Sequence, residues 1–388
     1  MSFVVTALAF LLISTRQAST PQVSALRPQY PATLHGVEDV IVASYVVGID
    51  GSVRDVKILT QRPNQAMADA TVAAVQQWHL RPLMMKGVLQ ERQETRSFFF
   101  TPPDGTPLNL GVSRSQNARI RDAGSTVSIA SGSEWLLSIA MFGDFELTGE
   151  VRLAEGSIAS LLVRAWADLG QKRSGRDEAY RVALGGDPQR PAGTVTGDRL
   201  SATTKSYDAE AAEAYRSGLS SWQPLKVECA DRSLRVTLGG RLVTDAELLD
   251  GVVGHLGFEV SKGSIEYRTM RVVRQDRYRE SVPLEVLFPY VYSSQDGAQT
   301  AAEPVLKRGP KAEYTLKAMR QRSAGMVALQ AIVETDGSIG AVQVTRSLNE
   351  ELDASAVRAV KKWFFEPAKV EGQPVRCLID VELTFSPS

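Results

Sequence analysis

Cysteine and histidine are scarce in this chain, and their scarcity removes whole classes of chemistry. The only thiols, Cys229 and Cys377, fall in different candidate domains, so they build neither a disulfide framework nor a cysteine metal site. His35, His79 and His255 are scattered, without the paired spacing of a metal-binding helix, and no Ser/His/Asp set can be assembled from them. No metal and no cofactor is expected. An excess of either charge is missing too: 44 Lys and Arg balance 44 Asp and Glu, which leaves no field to gather nucleic acid or an anionic bilayer. No apolar run reaches the roughly 20 residues of a membrane helix. The run from Phe3 to Ile13 in "MSFVVTALAFLLISTRQAST" has the length of a signal-peptide core, so residues 1–20 read as a signal peptide or short leader and the protein as exported; a buried strand is the alternative. "RVALGGD" and "VTLGGR" are strand turns with no helix after them, which removes phosphate-loop readings.

What is present is one short text written twice. "AVQQWHLRP" from Ala74 and "AVKKWFFEP" from Ala359 align Trp78 on Trp363, Pro82 on Pro367, Gly87 on Gly372 and Phe100 on Phe385 at one offset of 285 residues. Upstream, "VIVASYVVGIDGSVRDVKIL" matches "MVALQAIVETDGSIGAVQVT" after a single-residue slip. Each copy reads as a strand, an Asp-Gly turn, a second strand, a helix and a last alternating strand, because Asp-Gly between alternating apolar runs is a hairpin signal. The apolar period in "MADATVAAVQQW" lays Ala70, Ala73, Ala74 and Trp78 on one helix face, and the proline four residues beyond the tryptophan ends the helix. Both tryptophans are expected in cores.

The stretch "RPQYPATLHGVEDVIVASYVVGIDGSVRDVKILTQRPNQAMADATVAAVQQWHLRP" resembles the TonB C-terminal domain, with its Gln-Pro-x-Tyr-Pro opening, Asp-Gly hairpin and Trp-x-x-x-Pro helix end. The second copy resembles the same family, with "KAEYTLKAMRQRSAG" replacing the opening. The resemblance implies that an extended peptide, such as a segment of an outer-membrane receptor, is captured as an added strand. Its opening contact segment falls on Arg27, Gln29 and Tyr30, with Arg27 in place of glutamine, and its peptide-accepting strand falls on Gln93, Arg96 and Phe98 in one copy and Ile379, Val381 and Leu383 in the other. Edges capped by linkers or by each other are the alternative, and a second copy of the chain is a further candidate partner.

Between the copies lie short alternating segments spaced by turns, among them the meander "LKVECADRSLRVTLGGRLV", the pattern of an all-β sandwich. Asp144, Phe145, Arg152, Arg164, Tyr180, Trp222, Gly254, Gly257 and Arg268 resemble the pattern of the 3-keto-disaccharide hydrolases, a concanavalin A-like family. That resemblance implies sugar binding or cleavage. Glu146, Glu150 and Glu259 are the carboxylates available on its strands, and period 2 places Glu146, Glu150 and Arg152 on one face, which is either a sugar groove or the solvated side. Arg152 and Arg164 would orient a substrate or pair with the carboxylates.

The expected architecture is therefore mixed α+β and all-β: two small ββαβ modules of the TonB-C type at 21–101 and 305–388 around a concanavalin-like jelly-roll sandwich at 133–275, joined by linkers at 102–132 and 276–304. The expected function is peptide capture in the periplasm or cell envelope, with a carbohydrate- or protein-binding sandwich. A glycoside hydrolase acting on 3-keto-disaccharides and a ligand-free scaffold are the alternatives.

Overall fold

Two Asp-Gly turns set the geometry of the chain ends. Asp50 accepts from the backbone N–H and hydroxyl of Ser52, and Asp336 does the same with Ser338. Gly51 and Gly337 take φ of 86° and 87°, and a Cβ at either would collide with the carbonyl of Leu80 or Phe365, so only glycine fits. The computed structural model describes residues 23–85, 87–113, 120–122, 126–131, 133–167, 177–187, 189–288, 292–293 and 301–386. The proposed leader lies outside them. No helix among the described residues is long and apolar enough to cross a membrane.

The first unit runs through β1 (Asp39–Val47), β2 (Val53–Ile58), α1 (Gln65–Val75), β3 (Leu83–Met85), β4 (Val88–Gln90) and β5 (Arg92–Phe100). Its sheet has the order β2-β1-β5, with β5 antiparallel to β1 from Asp39↔Phe100 to Val47↔Arg92. Asn64 caps α1 by accepting from the Met67 N–H, and α1 packs Met67 and Val75 against Ile41, Tyr45 and Phe98. Trp78 closes this core at 2% exposure, edge-on to Tyr45 at 5.8 Å, with its indole N–H on the Leu26 carbonyl at 2.8 Å.

The central unit comprises β6 (Thr106–Pro107), β7 (Leu110–Ser113), β8 (Ile120–Asp122), β9 (Thr126–Ala130), β10 (Ser133–Phe142), β11 (Phe145–Leu153), β12 (Ile158–Trp166), β13 (Glu178–Gly185), β14 (Val195–Asp198) and β15 (Ala202–Tyr207). After α2 (Ala209–Ser217) it continues through β16 (Gln223–Ala230), β17 (Ser233–Leu238), β18 (Arg241–Leu248), β19 (Gly254–Lys262) and β20 (Ser264–Arg274). Two antiparallel sheets face each other as a sandwich, one of order β14-β13-β12-β19-β10-β7 and the other β15-β18-β17-β16-β11-β20-β9-β8, with β6 paired to β20. Alternation decides the inside: Phe145, Leu147 and Val151 of one sheet meet Leu161, Tyr180 and Phe258 of the other, while the residues between them face outward.

The last unit follows α3 (Leu284–Leu287), β21 (Tyr292–Ser293), β22 (Ala301–Ala302), β23 (Val305–Arg308) and α4 (Leu316–Arg320). It holds β24 (Gly325–Val333), β25 (Ile339–Arg346), α5 (Glu350–Val360), β26 (Phe364–Glu366), β27 (Ala368–Val370), β28 (Gln373–Val375) and β29 (Cys377–Phe385). Its sheet order is β21-β29-β24-β25, and β24 pairs β29 from Gly325↔Phe385 to Val333↔Cys377, the counterpart of the β1–β5 ladder. Trp363 departs from expectation, since it is only half-buried and donates to Pro310 O at 3.0 Å. The reason is the neighbourhood: the position of Tyr45 is taken by Ala331 and that of Phe98 by Leu383, so no aromatic box closes around the indole.

Candidate functional site

The closing strands β5 and β29 border one cleft. Along its second edge β5 pairs with no strand among the described residues. The second edge of β29 is taken only at its start, where Tyr292 and Ser293 run parallel to Cys377 and Leu378, and from Ile379 to Phe385 that edge carries no strand among the described residues. A cavity of about 440 Å³ lies between them, lined by Arg92 to Arg96 of β5, Ala328 to Gln330 of β24, and Leu378 and Asp380 to Glu382 of β29.

The first unit reaches this place because β5 rests on the outer face of the last unit's sheet. Arg96, 3% exposed, donates to Gln343 at 2.9 Å and Gln330 at 3.2 Å, and the Ser347 N–H donates to Ser97 Oγ at 2.9 Å. Beside it, Leu284 and Phe288 pack on Ile332, Ala341 and Leu378. The far part of β5 is thus covered, and the stretch Arg92–Thr95 opens on the cleft.

The cleft carries four carboxylates, Glu94, Glu285, Asp380 and Glu382, against two guanidiniums, Arg92 and Arg96. Burial pushes Glu285 above the ordinary carboxylate range, and the partial loss of solvent around Asp380, whose side chain still reaches the surface, moves it in the same direction. Burial would raise Glu94 too, but Arg92 and Arg96, with the Tyr45 hydroxyl donating at 2.7 Å, hold it below that range. Tyr45 is raised well above its ordinary value by burial and then by Glu94. An excess of negative charge therefore faces an occupant.

A second titrating group sits behind the contact between the two sheets. Asp353, 3% exposed, accepts from the hydroxyl of Ser347, and burial pushes its carboxyl up to about 6. The folded state therefore holds this proton more tightly than the unfolded chain, whose carboxyl titrates near 3.9. Its contribution to stability is expected to be greatest below about pH 4, to fall by on the order of 2–3 kcal/mol as pH rises to about 6, and to level off above it. Urea denaturation across that window checks this contribution, and Asp353→Asn is expected to remove it.

Of the sequence-derived binding residues, Gln93, Arg96 and Val381 line the cleft. Ile379 and Leu383 turn inward against the last unit's core, and Phe98, 0% exposed, packs on Trp78 at 5.6 Å. Arg27 is ion-paired to Glu280, Gln29 donates to the Arg27 carbonyl and Tyr30 to that of Val37, so the opening segment lies apart from the cleft.

In the sandwich, Glu146, Glu150 and Arg152 do share the outer face of β11. Glu146 pairs with Lys226 at 3.1 Å, Glu150 with Arg268 at 2.7 Å and Arg152 with Glu266, while Arg152 and Arg268 each stack on Trp222. The hydrogen bond from Arg268 holds Glu150 below its ordinary range, the opposite of what a general acid needs. Glu259 lies on the other sheet, bound by Arg181 at 2.8 Å and the Trp135 indole at 3.2 Å. Arg164, 2% exposed, also belongs to that sheet and donates to Asp144 and the carbonyls of Gly143 and Gly251. These carboxylates do not converge on one groove, and Arg164 does not join them. Among the described residues no three His, Cys, Asp or Glu side chains are grouped to hold a metal ion.

The family model of the Gram-negative bacterial TonB protein C-terminal matches residues 27–102 and 310–387, and that of the 3-keto-alpha-glucoside-1,2-lyase-like domain matches residues 103–273. The chain is TonB-like at both ends and 3-keto-disaccharide hydrolase-like between. Protein tonB2 of Pseudomonas aeruginosa is 46% identical over 61 residues, which is 16% of this chain and 23% of that protein's length. Solved structures that align with the chain include the carbohydrate-binding module CBM66 of Bacillus subtilis, at 15% identity over 42% of this chain and 96% of that one with a TM-score of 0.30. A Bacillus subtilis protein with a galectin-like fold aligns at 14% identity over 44% of this chain and 99% of that one, with a TM-score of 0.32. The TonB-like segments carry β5 and β29, the two strands that border the cleft.

Proposed function

We propose that this protein is a cell-envelope adaptor whose TonB-like ends capture an extended peptide segment as an added strand, with the sandwich as a docking wall for carbohydrate or protein. The units divide near residues 102 and 276: the stretch 102–132, expected as a linker, supplies β6 to β9 to the sandwich sheets, and 276–304 carries α3, β21 and β22. The observation that carries the reading is that the edge of β29 from Ile379 to Phe385 carries no strand among the described residues and that part of this stretch, Asp380–Glu382, lines the same cleft as Arg92–Arg96. Unpaired backbone N–H and C=O groups on an edge supply the affinity, and side chains at alternate positions supply the selectivity. With four carboxylates to two guanidiniums around the cleft, the favoured segment carries lysine or arginine at alternate positions.

A nine-residue peptide with alternating lysines is the probe. Asp380→Lys combined with Glu382→Lys is expected to weaken its binding at least about tenfold while leaving the melting temperature within a few degrees, since both side chains are exposed. Calorimetric titration checks this. Equal binding of the lysine peptide and its glutamate analogue, or none at millimolar concentration, would count against the reading.

A further inference from the structure

The sandwich and the last unit meet at a cavity separate from the cleft between β5 and β29. It holds about 690 Å³ among the sandwich turns at Gly143–Asp144 and Asp231–Arg232, the start of β25 and α3. Leu284, Leu287 and Phe288 at α3, with Ile339, Val342 and Val357 of the last unit, give it an apolar lining. Leu287 is 46% exposed, so part of that lining lacks cover.

Lys361, just past the end of α5, completes the lining and is half-buried. Its ammonium donates to the Gly340 carbonyl, and no carboxylate among the described residues lies within ion-pair distance of it. The first unit has an exposed glutamine, Gln76, at the equivalent position, so the repeat itself calls for no cation here. Burial lowers the pKa of Lys361 below the ordinary lysine value, with Asp231 and Asp144 acting against that shift and Arg164 and Arg277 adding to it. Asp144 is already bound by Arg164 at 3.2 Å and Arg277 at 3.5 Å, and Asp231 is exposed to solvent. Of the remaining charges in the lining, Glu280 is paired to Arg27 and Arg232 to Glu247 at 3.1 Å. One positive charge is thus left without a counter-ion.

We propose that this cavity binds a small organic carboxylate with an apolar body, its carboxylate on Lys361 and its chain against Leu287 and Phe288. An ammonium held partly out of water without a counter-ion is costly, and an anionic ligand supplies the missing partner. The volume is that of a small-molecule site, and the junction of two units is where such sites gather.

Octanoate is the probe and octanamide, of the same chain length but neutral, is its control, both titrated calorimetrically into the full chain. Octanoate is expected to bind with a Kd below about 1 mM and octanamide at least about tenfold more weakly. Lys361→Met is expected to weaken octanoate at least about tenfold, while Lys361→Arg, which keeps the charge, stays within about threefold of the unaltered protein. Leu287→Glu, at an exposed position, is expected to weaken it by about tenfold through loss of apolar cover and repulsion of the carboxylate. Equal binding of octanoate and octanamide, unaltered octanoate binding by Lys361→Met or Leu287→Glu, or no octanoate binding up to about 10 mM overturns the proposal.

Discussion

Replacing Arg274 by methionine is expected to lower the unfolding free energy by about 3–5 kcal/mol, because it strips the counter-ion from carboxylates held out of water. Arg274 is 8% exposed at the end of β20, and its guanidinium joins all three units. It donates to Glu38 at 3.2 Å ahead of β1, to Asp276 at 2.9 Å and the Met141 carbonyl in the centre, and to Glu350 at 2.5 Å on the first turn of α5. Burial alone would depress its pKa, but Glu350, Asp276 and Glu38 hold it above the ordinary arginine value. Asp276, whose side chain is 2% exposed, keeps the N–H groups of Gly143 and Asp144 after the substitution but loses its cation. Urea unfolding followed by tryptophan fluorescence checks the loss, and Asp276→Asn added to the variant is expected to recover part of it by removing the charge that Arg274 alone had paired, whereas Glu350 keeps Arg279 at 3.5 Å. A loss below about 1 kcal/mol would mean that the hub is solvated and does not join the units.

The second large effect is expected at Trp78. Trp78→Ala removes a ring packed between Tyr45 and Phe98 and is expected to cost about 3–5 kcal/mol, while Trp363→Ala is expected to cost less than half as much. The same letter in the same motif thus carries different weights, since the first indole fills a closed box and the second lies half-exposed against Phe365 at 6.2 Å. Thermal melts of the two variants distinguish these cases. Equal losses would show that the half-exposed ring is as tightly held as the buried one.

The contrast marks where sequence reading works. The Asp-Gly hairpins and the closing strands rest on local period and turn chemistry and stand where the pattern placed them, whereas the helices end at Val75 and Val360, short of Trp78 and Trp363, and α1 buries Met67, Thr71 and Ala74 while Ala73, expected on that face, is exposed. The alternation in β11 likewise placed Glu146, Glu150 and Arg152 on one face. Contacts between distant segments left no such mark. Arg274 reads as one more strand arginine until Glu38 and Glu350 arrive from 236 and 76 residues away. The strands β21, β22 and β23 have too few residues to show a period and exist through their pairing with β29, β27 and β26. Arg164 reads as a substrate-orienting strand residue, yet its burial and its carbonyl partners make it a brace between turns at Gly143 and Gly251. Gln93, Arg96 and Val381 were legible as edge residues, but not the cleft that collects them, since that depends on β5 lying across the last unit's sheet.

The direct measurement is backbone hydrogen exchange along Ile379–Phe385 and Arg92–Thr95, with and without saturating alternating-lysine peptide. If these edges accept a strand, their amides include a freely exchanging set in the unbound protein, and that set slows at least about tenfold when the peptide docks. Exchange that is already slow without peptide, or that stays the same at saturation, would contradict strand capture.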